Sequence, residues 1–175
     1  MPDAANDTAH DAPRSSPTDA DEKWSAYAST ILEFAGPPRL TIDLRRPVTD
    51  GARRALVDRG LPSSFAVLTA ENPRGTNPED APTPSAEERR EARNDHRVSA
   101  LDRALERERV VFEPVDGMAP DGSYRERCVA VCMPREAATD LARRLEQLAL
   151  FWYDGHDFWL MPAAIGEEPE RLPRA

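Results

Sequence analysis

Lysine is almost missing from this chain: Lys23 is the single one among 23 basic residues. A phosphate-binding loop of the G-x-x-x-x-G-K-[ST] type is therefore absent, and a Schiff-base lysine has one candidate, in an acidic N-terminal stretch. P-loop nucleotide hydrolysis and pyridoxal-phosphate chemistry lose their usual residues. Cysteine is scarce too, with Cys128 and Cys132 four residues apart in one expected strand. At about 3.3 Å per residue their Cα atoms stand about 13 Å apart, beyond the roughly 7 Å a disulfide spans, so both are expected as thiols. C-x-x-x-C in a strand also lacks the turn that gathers zinc ligands, and no metal or cofactor is expected. The three histidines, His10, His96 and His156, form no H-E-x-x-H, and G-x-S-x-G and G-x-G-x-x-G are absent. Metalloprotease, α/β-hydrolase and dinucleotide readings lose their support. No run approaches the ~20 apolar residues of a membrane span, and no apolar h-region follows the N-terminus. The expectation is a soluble cytoplasmic protein without membrane contact.

What is present suits one globular domain. The chain has 175 residues, 39% of them hydrophobic, with a net charge of −9, enough for one core with tails. That charge disfavours general duplex nucleic-acid binding, which draws its affinity from a basic surface. Much of the acidity is local: Asp3, Asp7, Asp11, Asp19, Asp21 and Glu22 belong to residues 1–22, which have too few large apolar groups to offset the entropy of ordering them. Three segments are expected: a disordered acidic leader at 1–22, a domain at 23–162, and a flexible tail at 163–175.

Hydrophobic spacing outlines the domain. Trp24, Tyr27, Ala28, Ile31, Leu32 and Phe34 recur at helical intervals up to Gly36-Pro37-Pro38. Leu40–Leu44 alternates as a half-buried strand, and Asp50 is placed to cap a short helix closed by Gly60. Residues 64–70, Ser-Phe-Ala-Val-Leu-Thr-Ala, are nearly all apolar or small, which predicts a central strand covered on both faces. After a proline-rich loop, Ser85 and Glu88 form a capping box that opens a helix to about Arg107. Val110–Pro114 and Tyr124–Met133 read as strands. In the second, Val129, Val131 and Met133 share one face, and Glu126, Cys128, Ala130 and Cys132 the other. Pro134 starts a helix, and Asp154-Gly155 turns a hairpin in which a two-residue loop sets Phe151 opposite Phe158. These alternating elements predict a single α+β domain with a mixed or antiparallel sheet of five or six strands and helices packed against it.

The candidate site gathers where the central strand ends, at Thr69-Ala70-Glu71-Asn72-Pro73-Arg74-Gly75. Stepping back from Leu101 by four and seven positions along the following helix reaches Arg97 and Asn94, which turns both toward the body of the protein. A buried guanidinium needs an acceptor or an anionic ligand. One reading makes Thr69, Asn72, Arg74, Asn94, Arg97 and Glu126 a pocket for a small anionic or nucleotide-like ligand. The other makes Arg97 and Asn94 braces for the loop, Arg97 against Glu71 or Glu126. Glu126 is the acidic candidate for proton transfer. A further alternative, from a different class, is a regulatory module that binds a protein partner through the aromatic hairpin or the acidic leader.

Taken in order, F-A-V-L-T-A-E-N-P-R-G, N-D-H-R, P-D-G-S-Y-R-E-R-C and L-A-L-F-W-Y-D-G-H-D-F-W-L-M resemble a bacterial family known as domain of unknown function 3293, from about Tyr27 to Met161. The resemblance maps the family's recurring positions onto Thr69, Asn72, Pro73, Asn94, Arg97, Asp121, Gly122, Glu126, Asp154 and Gly155. The chain departs from that pattern at Glu71 and in the proline-rich loop after Gly75. The family label implies a domain and no established activity.

Overall fold

A computed structural model describes residues 19–73, 84–164 and 166–174, with the side chains of residues 19, 20, 84 and 85 excepted. In chain order the elements are α1 (Asp19–Ala28), β1 (Ile31–Phe34), β2 (Leu40–Asp43), α2 (Asp50–Asp58), β3 (Phe65–Thr69), α3 (Pro84–Arg107), β4 (Phe112–Met118), β5 (Arg125–Val131), α4 (Arg135–Arg144), β6 (Ala149–Tyr153), β7 (Phe158–Pro162) and β8 (Glu170–Leu172). The strands form one sheet in the order β2-β1-β4-β5-β3-β6-β7-β8, every neighbouring pair antiparallel. This is the expected α+β domain with an antiparallel sheet, of eight strands rather than five or six.

The two extra strands come from segments that were expected to do something else. Ile31–Phe34 continues the helical spacing of Trp24, Tyr27 and Ala28, yet the chain turns at Ser29 and Thr30, and Leu32 and Phe34 are buried on one side of a strand. Alternation over four residues fits both periods, and pairing with β2 and β4 decides between them. β8 lies in the expected tail, where Leu172 is buried and pairs with Phe158. At the other end α1 begins at Asp19, inside the expected leader, while residues 1–18 lie outside the described part.

Burial on both faces shapes the sheet. Phe65 and Val67 of β3 face one cluster with Phe34, Val115, Ala130, Tyr153 and Leu160, whereas Ala66, Leu68 and Ala70 face another with Leu101, Leu105, Ala138 and Ala142 of α3 and α4. The two faces expected for β5 are found as predicted: Cys128 and Ala130 join the first cluster, Val129 and Val131 the second. α1 and α2 cover the first face, through Trp24, Ala28 and Leu56. The indole Nε1 of Trp24 donates to Glu170 Oε2 of β8 at 3.0 Å, and Arg174 Nη1 reaches Ser25 Oγ at 3.1 Å. The sheet curls into a half-barrel, with α1 lying across its concave side and tied to β8 through Trp24.

Local details differ from the sequence reading in explicable ways. Thr49, not Asp50, caps α2, its hydroxyl accepting from Ala52 N at 3.1 Å. β4 runs past Pro114 to Met118: β1 pairs with it from Asp116 to Met118, so the missing proline N–H costs no ladder bond there. The β6–β7 turn takes four residues, Asp154–Asp157, which sets Tyr153 opposite Phe158 and Phe151 opposite Leu160. Asp154 Oδ1 accepts from the backbone N–H groups of His156 and Asp157, both at 2.9 Å, an arrangement a two-residue loop has no room for. Cys128 and Cys132 are thiols, as their spacing required.

Candidate functional site

The site is built outward from the end of β3. Thr69 Oγ1 donates to the carbonyl of Arg127 at 2.8 Å and accepts from the backbone N–H of Glu71 at 2.9 Å, which ties the chain leaving β3 to β5. Glu71 is buried, and Arg127 satisfies it twice, through Nε at 2.5 Å and backbone N at 3.2 Å. The same guanidinium reaches Asp95 of α3 at 2.7 Å. Gln147 Nε2 donates to the Glu71 carbonyl at 2.8 Å. Glu71 is therefore a closed structural contact, and its cation is Arg127 rather than Arg97.

Asn72 follows in the left-handed region at φ 41°, a conformation asparagine tolerates better than most residues. It pairs reciprocally with Asn94 of α3: Asn72 N donates to Asn94 Oδ1 at 3.1 Å, and Asn94 Nδ2 donates to Asn72 Oδ1 at 2.9 Å. Its own Nδ2 is then left to point at β5. It donates to Glu126 Oε1 at 3.0 Å and to the Tyr124 hydroxyl at 3.3 Å. Tyr124 bonds the same carboxyl. An asparagine pair thus holds a glutamate in place with no arginine involved.

Glu126 lines a cavity of about 310 Å³ on the concave face of the sheet, at the small end of ligand-sized cavities. Tyr27 and Thr30, at the end of α1 and just after it, form one wall; Val67, Thr69 and Cys128 form the sheet side. Phe151 and Ala149 extend the apolar surface, and Ser123 and Tyr124 of the β4–β5 turn stand at another side. Gly117, which pairs across the ladder with Glu126, also lines it. A Cβ there would meet Cys128 Sγ at 3.3 Å and Thr30 Cγ2 at 3.7 Å, so the glycine keeps that part of the cavity open.

Burial sets the protonation of the lining. It pushes the Glu126 carboxyl above its ordinary range, against the hydrogen bonds from Tyr124 and Asn72 that favour the charged form. It also raises Tyr27, with the Glu126 charge adding to the effect, and raises Tyr124 in the same way, although one side of that ring is open to solvent. Cys128 is raised well above its usual value, again chiefly by burial. At neutral pH the phenols are hydrogen-bond donors and the thiol is un-ionised, which removes Cys128 as a ready nucleophile. Glu126 is the group in the lining whose proton is most readily exchanged.

Of the residues expected to form the site, Thr69 and Glu126 line the cavity, and Asn72 and Asn94 stand behind Glu126 and position it. Arg97 is half-buried, does not line the cavity, and forms no ion pair among the described residues. Its expected pairing with Glu71 or Glu126 is replaced by the Arg127 contact on one and by neutral donors on the other. Arg74 lies outside the described residues. Tyr27, Tyr124 and Cys128 were not expected in the site. Tyr124 and Cys128 flank Glu126 at two-residue spacing on one strand face, a signal present in the sequence. Tyr27 comes from a helix far from β5 in the chain, and its placement depends on the curl of the sheet. No group of histidine, cysteine or acidic side chains among the described residues is arranged to hold a metal, and no helix among them is long and apolar enough to cross a membrane.

Residues 68–150 match the family described as "Protein of unknown function (DUF3293)". Over those residues, just under half of its length, the chain is similar to that family. The matched span of DUF3293 contains the Asn72–Asn94 pair, the Asp121-Gly122 turn and Glu126, and it ends just before the Phe151–Asp154 segment of the β6–β7 hairpin. No curated protein and no solved structure matches the chain.

Proposed function

We propose that this domain binds a small, largely apolar molecule in the cavity between α1 and the curled sheet, with Glu126 as its polar anchor. The observation that supports this most directly is a carboxyl held by Asn72 and Tyr124 at the wall of a 310 Å³ cavity otherwise lined mainly by apolar groups. Glu126 is half-buried, and a polar group set into the fold in a purely structural role is normally closed off by its neighbours. Glu126 instead lines a cavity.

The ligand differs from the anionic or nucleotide-like molecule suggested by the sequence. Among the described residues no arginine lines the cavity; Lys23 is the cation of the lining, on the α1 side, and an anion placed beside Glu126 would meet a like charge. The role of Asn72 and Asn94 in this proposal is to position Glu126, and Arg97 has none. The hairpin reading of a protein-binding surface gains no support, because Phe151, Tyr153 and Phe158 are buried and Trp159 is bonded to Asp154 at 2.7 Å.

A fragment screen read by amide chemical-shift mapping tests the proposal. Fragments that bind are expected to shift Tyr27, Thr69, Tyr124 and Glu126 together, and Glu126→Ala is expected to weaken them. Binding confined to other surfaces, or insensitive to that substitution, would overturn it.

A further inference from the structure

Resting on the cavity reading above, the structure carries a statement about the charge of the occupant. The acidic side chains around Glu126 are matched by cations of their own. Glu71 and Asp95 share Arg127, and Asp116 and Glu33 share Arg125. Glu126, between Arg125 and Arg127 on β5, has neither, because neighbouring residues of a strand point to the opposite face. Its partners are the Asn72 amide and the Tyr124 hydroxyl, both neutral. It is the one carboxyl of the cavity wall, and no cation among the described residues pairs with it.

We infer that the cavity takes a molecule with a protonated amine on an apolar body, the ammonium seated against Glu126 between the phenol rings of Tyr27 and Tyr124. An ammonium supplies a counter-charge that no described residue gives Glu126, and hydrogen bonds with a charged partner are roughly twice as strong as neutral ones. The rings of Tyr27 and Tyr124 offer negative faces that attract a desolvated cation. Phe151, Val67 and Ala149 give the apolar body its surface. No covalent step is involved.

Three probes of nearly equal size separate charge from shape: 2-phenylethylamine, 2-phenylethanol and phenylacetate, with affinities measured by titration calorimetry on the full chain. The amine is expected to bind about tenfold tighter than the alcohol, the scale of one charged hydrogen bond, with the carboxylate weakest. Glu126→Gln is expected to bring the amine down to the alcohol and leave the alcohol unchanged. Should that variant fold poorly, the wild-type chain answers by pH: amine affinity falls as acid protonates Glu126, and alcohol affinity does not. The other groups facing Glu126 do not mimic this. Tyr27, Tyr124 and Cys128 are all raised, so they hold their protons throughout the acidic range; Glu71 is paired with Arg127, and Lys23 lies at the α1 wall. Alcohol or carboxylate binding as tight as the amine would overturn the charge assignment and leave the cavity reading standing. Binding of none of the three would overturn both.

Discussion

Two glutamates lie on the same face of the β4–β5 hairpin, Glu113 near one end and Glu126 near the other, and the protein treats them oppositely. Glu113 is clamped by Arg59, whose side chain is 6% exposed and which also bonds the carbonyls of Gly36 and Pro38 and lies over the Phe34 ring at 5.6 Å. That end of the hairpin is held by an ion pair between Glu113 of β4 and Arg59, the residue after α2, which also takes two carbonyls of the β1–β2 turn. Glu126 meets only an amide and a phenol, and beside it the packing stops. A charged partner makes a buried acid part of the scaffold, whereas neutral donors hold it still and leave its charge to be answered by something else.

The largest effect is expected at the sealed end. Arg59→Met leaves the Glu113 carboxyl buried without its cation and should cost about 3–5 kcal/mol in a denaturant melt. Adding Glu113→Leu should recover most of that loss, because apolar replacement of both partners is often neutral. A small cost for Arg59→Met alone would erase the contrast.

A middle effect is expected at the amide that holds Glu126. Asn72→Ala removes bonds to Asn94, Glu126 and Tyr124 and puts alanine at a left-handed position, for about 2 kcal/mol. Combined with Asn94→Ala, the losses should fall short of additivity by at least about 0.5 kcal/mol, as for residues in one network. Full additivity in the double-mutant cycle would mean that the two amides act separately.

The smallest effect sharpens the open end. An ordinary glutamate titrates near 4.3, and burial raises Glu126 above that. Between the two values the folded chain binds the extra proton, so its stability from this group is fully present at low pH and declines as pH rises through the window. Glu126→Gln should remove that decline and melt slightly later than wild type above it, by about 1 kcal/mol. An unchanged pH profile in the variant would show that the carboxyl feels no burial.

Much of this was legible in the chain, for physical reasons that also mark where legibility ends. β3 declared itself because burial on both faces demands an unbroken apolar run, and the two faces of β5 followed from alternation. Asn94 was placed correctly because seven residues before Leu101 is nearly two helical turns. Arg97 was not: its long side chain reaches solvent even from a half-buried position, and the cation that Glu71 needed was already adjacent to Glu126 on β5. β1 escaped because Ile31, Leu32 and Phe34 satisfy helical and strand spacing together. β8 escaped because three residues with one apolar member make no pattern at all. The cavity itself had no local signature, since it exists only where a curled sheet brings Tyr27 over β5.

The left-handed backbone at Asn72 has one more implication. Its torsion is fixed by the asparagine clasp to α3, so the amide is aimed at Glu126 by contacts within the protein alone. A guest arriving there would find its berth made up in advance, and the entropic toll of arranging the anchor has been met during folding.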